Sequence, residues 1–146
     1  MPIKTDAIGK EWPGPTYQVG REKIKEYAKA LGIDNPVHSD VEAARAAGFR
    51  DVVAPPMFAV VYSGPALAPV LFDSAVEMNF AAMVHGGQVF EWGEPVCSGD
   101  ENTTSSKCLS IEEKDGKGFY VFETVSVNQD DAEVVRGTWT NIVRGV

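Results

Sequence analysis

The chain has 146 residues and a formal net charge of −8, a length that suits one compact domain and leaves no room for two of ordinary size. With 44% hydrophobic and 23% charged residues it can fill a full core, which excludes a chain disordered throughout. Acidic side chains outnumber basic ones by 21 to 13 and the positive charges are scattered, so nucleic acid and anionic membrane surfaces are excluded as partners.

Residues 1–16 contain Pro2, Pro13 and Pro15 with Gly9 and Gly14, a density that prevents a long regular element and predicts an arm on the surface. The start, Met1 to Asp6, lacks the apolar run of a signal peptide, so a cytoplasmic, reducing location is expected. Cys97 and Cys108 are then read as small buried hydrophobes rather than a disulfide framework. Tyr17 to Val19 are read as the start of a short strand. From Arg21 to Leu31 the apolar positions Ile24, Tyr27, Ala28 and Leu31 follow helical spacing, and Gly32 supplies the left-handed stop. Asp34-Asn35-Pro36 forces an extended or turned backbone, because Pro36 disfavours helical geometry at Asn35. A second short helix is expected from about Ser39 to Ala47, capped by Ser39 or Asp40 and stopped by Gly48.

Met57 to about Leu67 are apolar on almost every side, the pattern of a helix surrounded by the rest of the protein. Pro55-Pro56 fits its first turn, where missing N–H donors do no harm. Gly64, Pro65 and Pro69 interrupt the apolar stretch from Pro55 to Phe72, so no membrane span is read from it. From Val84 onward Val, Thr, Phe, Tyr and Trp dominate. They predict strands at about 85–92, 104–113, 118–127 and 133–144, with hairpins at Asp115-Gly116 and near Gln129 to Asp131. Helices followed by an antiparallel meander make an α+β chain, with the sheet wrapped around the one very apolar helix.

The chain has two histidines, so any chemistry needing imidazole falls to His38 or His85. His38 closes the segment Asp34-Asn35-Pro36-Val37-His38, where an acid, an amide and an imidazole lie within five residues on a loop. The plainer reading makes Asp34 and Asn35 turn formers and His38 a cap of the next helix. His85-Gly86-Gly87-Gln88 opens a predicted strand, where glycine lets a ligand or a second backbone approach closely; a hydrogen-bonded histidine at a sheet edge is the alternative. Met57, Phe58, Tyr62, Leu67 and Phe72 are candidates to line an apolar tunnel, or else plain core. Trp92, Trp139 and Tyr120 read as core or interface, and Asp130, Asp131 and Glu133 as a solvated turn. No His/Cys grouping has metal-ligand spacing, and no phosphate-binding glycine loop or dinucleotide fingerprint occurs.

The segment Asp34-Asn35-Pro36-Val37-His38, then Ala43-Ala44, Phe49 and Val53-Ala54-Pro55-Pro56-Met57, resembles the hydratase motif of the MaoC-like hot dog family. The likeness runs from Val19-Gly20-Arg21 through His85-Gly86-Gly87-Gln88 to the last strand. It implies a hot dog fold and a fatty acyl thioester on CoA or acyl carrier protein (acyl-ACP), without metal or cofactor. The implied reaction is reversible hydration of a trans-2-enoyl thioester to an R-3-hydroxyacyl thioester. His38 would be the acid/base, Asp34 its partner, and Asn35 a positioner; Met57, Phe58, Tyr62, His85 and Gly86 would contact substrate.

Two departures matter. The family pattern has an Asp five residues before the His, where this chain has Ile33, with Asp34 one place later. It also has a His-Gly pair whose glycine N–H serves the oxyanion hole, where this chain has Pro55-Pro56. Pro56 has no N–H to offer, which leaves Met57 or Phe58 as the donor at the helix start. This version is similar to the N-terminal, substrate-binding half of two-part dehydratases, and so implies a homodimer or a heterodimer with another hot dog chain. Two further readings stay open: an acyl-thioester-binding module without chemistry, and a hot dog thioesterase, which would want a carboxylate on the central helix that residues 57–67 lack. A CoA phosphate would have to find a basic spot near Arg45 or Arg50.

Overall fold

The computed structural model describes residues 2–146. Its strands are β1 (Glu11–Trp12), β2 (Thr16–Gln18), β3 (Met83–Trp92), β4 (Glu101–Lys114), β5 (Lys117–Val127) and β6 (Glu133–Arg144). They form one antiparallel sheet in the order β1-β4-β5-β6-β3, with β2 also paired to β4.

The meander from β4 to β6 follows from alternation and turn chemistry. Along β5, Tyr120, Phe122, Thr124 and Ser126 are buried at every second position. On β4 a bulge between Cys108 and Ser110 changes the inward face from Asn102, Thr104, Ser106 and Cys108 to Ile111. Asp115 and Gly116 both take positive φ, 53° and 69°, which is the two-residue turn whose twist suits a hairpin. The other turn places Asp131 at φ 57°. Strand β3 pairs with β6 rather than with β4, which follows it in sequence. Its pairing with β6 continues past the strand, where the N–H groups of Gly93 and Glu94 donate to Val134 and Glu133. The chain then crosses to the other side of the sheet before β4.

Helix α1 (Arg21–Ala30) buries Ile24 and Ala28, but Leu31, expected on the same face, caps the helix and is 55% exposed. Helix α2 (Val41–Ala46) is capped by Asp40, whose carboxylate accepts from the Glu42 N–H, and it ends at Gly48 with φ 95°. The central helix is a run of unequal turns: a 3-10 turn over Pro56–Phe58, α3 (Ala59–Ser63), a second 3-10 turn over Gly64–Leu67, and α4 (Ala68–Leu71). Pro65 and Pro69 lack the N–H that a uniform α-helix needs, so the winding changes where they enter. Phe58, Ala59, Tyr62, Ala66 and Val70 are buried against the sheet. The hydroxyls of Thr104 and Ser106 tie the helix down by donating to the carbonyls of Tyr62 and Ala66. The N-terminal segment is more than a surface arm, because Trp12 and Ala7 are buried and β1 pairs with β4.

Candidate functional site

The loop after α1 builds the site. Asn35 caps a 3-10 turn over Pro36–His38 by accepting from the Val37 N–H at 3.2 Å, while Pro36 sets the turn. His38 Nδ1 lies 2.6 Å from the Val53 carbonyl oxygen. A carbonyl can only accept, so Nδ1 carries the proton and Nε2 of the neutral ring is left with a free lone pair. Val53 is itself held fast. Its N–H donates to the Val37 carbonyl, it bridges to Cys97, and on either side of it the Ala54 N–H donates to Val96 and the Ser98 N–H to Val52. The imidazole is thus oriented by a segment clamped between the His38 turn and the crossing that follows β3.

His38 opens on a cavity of about 440 Å³, framed by its own turn, the start of the central helix and the end of β3. That volume lies in the range of small-molecule sites. Val53, Ala54, Pro55, Pro56, Val96 and Val134 supply apolar wall, and Asn35, His38, Tyr62 and Glu94 the polar groups. The Glu94 carboxylate has no hydrogen bond or ion pair among the described residues. Burial pushes the Tyr62 hydroxyl well above the ordinary phenol range, so it stays a donor.

The structure brings Asn35, His38 and Tyr62 together at the cavity and leaves the other candidates outside it. Asp34 is exposed and makes no hydrogen bond among the described residues. Phe58 is fully buried below Tyr62 and does not line the cavity, packing edge-on to Tyr27 and Tyr17, and Met57 is 47% exposed. His85 packs edge-on against Trp139 at the opposite end of β3, about 20 Å from Trp92 at 3.3 Å per residue. Gly86 sits in a bulge beside it. Of the two N–H groups offered as oxyanion donors, that of Phe58 is committed to the Pro55 carbonyl and that of Met57 is unpaired. Sequence reading missed Glu94 as a site residue. Its signal is Gly93-Glu94-Pro95, where glycine and proline end a strand and turn an acid off the sheet.

A smaller cleft of about 340 Å³ adjoins the cavity and shares Phe49, Glu94 and Pro95 with it. Arg50 lies there, but its guanidinium donates to the fully buried Asp100 at 2.8 Å. Asp100 also accepts from Gln129 and from the Cys97 N–H, so this group ties the crossing after β3 to the rest of the fold. Arg45 is engaged by the Arg50 carbonyl and by Glu42. Both cysteines are free and buried, and burial pushes the Cys108 thiol up to about 11. Among the described residues no cluster of His, Cys, Asp and Glu could hold a metal, and no helix is long and apolar enough to cross a membrane.

The family model described as "FAS1-like, dehydratase domain region" matches residues 6–136. A UPF0336 protein of Clavibacter michiganensis subsp. michiganensis is 38% identical over 146 residues, covering 99% of this chain and 98% of that protein. Among solved structures, a chain of the C-terminally truncated HadBC (3R-hydroxyacyl-ACP dehydratase) complex of Mycobacterium tuberculosis superposes with a TM-score of 0.83 at 28% identity, covering 95% of this chain and 98% of that one. A MaoC-like dehydratase superposes with a TM-score of 0.86 at 25% identity over 96% of this chain and 43% of that longer one.

Proposed function

The chain belongs to the family of FAS1-like dehydratase domain regions, with the hot dog fold of MaoC-like dehydratases, and we propose that it holds an acyl thioester in the cavity beside His38. The reaction proposed is reversible addition of water to a trans-2-enoyl thioester, giving the R-3-hydroxyacyl thioester. The chain works as the substrate-binding subunit alongside a second hot dog domain.

The observation that carries this reading is the His38–Val53 hydrogen bond at the wall of an apolar cavity. It leaves Nε2 as a base aimed by a fixed backbone group. In the hydration direction the water oxygen bonds to C3 while Nε2 takes its proton, and the same proton returns to C2, so the atoms balance without a redox partner. The walls exclude bulk water from the acyl chain. Asn35 and Glu94 are the polar groups at hand to position a water.

A second reading, binding without chemistry, is favoured by one observation: Asp34 stands outside the cavity, so His38 lacks the carboxylate of the family pattern. Crotonyl-CoA hydration by the purified chain, alone and with a co-purifying hot dog protein, separates the two. Activity that falls about 10²- to 10⁴-fold in His38→Ala supports the dehydratase reading, on the usual scale of general acid–base catalysis. Acyl-CoA binding by calorimetry without hydration in either setting supports the binding module. Absence of both binding and hydration refutes the acyl-thioester reading.

A further inference from the structure

Hydration of an enoyl thioester builds negative charge on the thioester carbonyl oxygen, so the site needs a hydrogen-bond donor there. Around this cavity most backbone N–H groups are missing or committed, those of Asn35 and Val96 excepted. Pro55, Pro56 and Pro95 have no N–H. The N–H groups of Val37, His38, Val53, Ala54 and Gly93 are already committed to Asn35, Val37, Val96 and Val134. The one unpaired N–H at the helix start belongs to Met57, which does not line the cavity.

Among the side chains, Asn35 and Trp92 lie toward solvent, Trp92 being 51% exposed. Tyr62 differs from both. It is 3% exposed, it lines the cavity, and its hydroxyl has no hydrogen-bond partner among the described residues. The hydroxyl is not among the buried side-chain atoms left without a partner, so it reaches the open space of the cavity, where an occupant's acceptor oxygen can take its hydrogen bond. The ring is also held in place before any ligand arrives: it packs on Phe58 at 6.1 Å between centroids, and the Tyr62 backbone carbonyl is anchored to the sheet by Thr104.

We propose that the Tyr62 hydroxyl donates the hydrogen bond that polarises the thioester carbonyl of the bound acyl group, in place of the backbone donor that Pro56 removes. This rests on the acyl-thioester reading of the cavity. Tyr62 is then a catalytic residue on the central helix, facing substrate across from His38, and the two divide the work: His38 moves the proton and Tyr62 stabilises the oxyanion. The substrate class follows, because the occupant must present a carbonyl oxygen to a buried donor inside an apolar wall.

The test uses the full chain with trans,trans-2,4-hexadienoyl-CoA, whose absorption moves to the red when its carbonyl is polarised, and crotonyl-CoA for rates. The wild-type protein is expected to bind the dienoyl probe with a red shift. Tyr62→Phe is expected to bind it within about twofold, lose most of the shift, and lose about 10²- to 10³-fold in kcat at nearly constant KM, the usual effect of deleting one oxyanion donor. His38→Ala is expected to keep the shift while losing hydration, which separates the two roles. An unaltered spectrum and rate in Tyr62→Phe overturns the proposal, as does a loss of binding with an unchanged melting temperature, because the tyrosine would then serve as wall. Wild-type protein that binds no dienoyl-CoA refutes the acyl-thioester reading itself, and is told apart from the other outcomes by calorimetry before any variant is made.

Discussion

Asp73, just past α4, shows how far a single side chain is shaped by its partners. Its carboxylate accepts from Lys10 Nζ at 2.6 Å, from the Ala75 N–H at 2.8 Å and from Trp12 Nε1 at 2.8 Å. The ammonium of Lys10 above all, then the Ala75 and Trp12 donors, holds its pKa down to about 2. The folded-state value lies below the unfolded one of about 3.9, so the stabilisation is fully present above about pH 4 and is lost as pH falls through 2. The melting temperature should decline between pH 4 and 2, and Asp73→Asn should flatten that decline while lowering the melting temperature at pH 7. Equal slopes for both proteins, followed by circular dichroism, would remove the Asp73 contribution. None of this was legible in the sequence, since Lys10, Trp12 and Asp73 meet only when the N-terminal segment folds against the end of the central helix. His38 was legible, because a proline-set turn carries its own geometry. Asp34 was not, because whether a neighbouring carboxylate faces the cavity depends on one residue of phase.

Elements were read more surely than side chains. Four strands and the Asp115-Gly116 hairpin match their expected ranges within about three residues, because two-residue alternation and a left-handed turn pair are local signals. The winding of the central helix was less legible, and the bulges on β3 and β4 were not anticipated at all. A bulge is decided by what the strand pairs with. The end of β3 tests this at the site. A methyl group on Gly93 would sit 2.1 Å from the Glu133 carbonyl oxygen, a backbone atom that cannot swing away. Gly93→Ala should therefore part β3 from β6 beside the cavity and destabilise the protein by about 1–3 kcal/mol, read as a lower urea midpoint. An unchanged midpoint would mean that this end of the strand adjusts without cost.

The sheet as a whole has one long open edge. The β4 side is shielded by β1 and β2, whereas β3 pairs only with β6 and exposes Val84, Val89 and Trp92 by 43%, 58% and 51%. An apolar edge strand of ten residues is a template for another strand. It fits the proposed second hot dog domain, and the similar HadBC protein is a complex. Sedimentation of the native protein, alone or with its hot dog partner, should give a species well above the 15.8 kDa of one chain. Val89→Lys should weaken that assembly without lowering the melting temperature of the single domain. A native chain that stays monomeric with and without a partner would leave the edge without its proposed role.

The sequence by itself determined what depends on neighbours along the chain: the acidic one-domain character, the helix and strand periods, the turns, and the imidazole placed by Asn35-Pro36. Those signals act over a few residues and need no partner elsewhere. Only the tertiary structure decided that β3 lies beside β6, that Val53 aims the His38 ring, that Asp34, Phe58 and His85 stand away from the cavity, and that the Tyr62 hydroxyl is left unpaired within it. Each of these is set by segments distant in sequence competing for the same buried space and the same hydrogen bonds, and that competition has no local pattern to read.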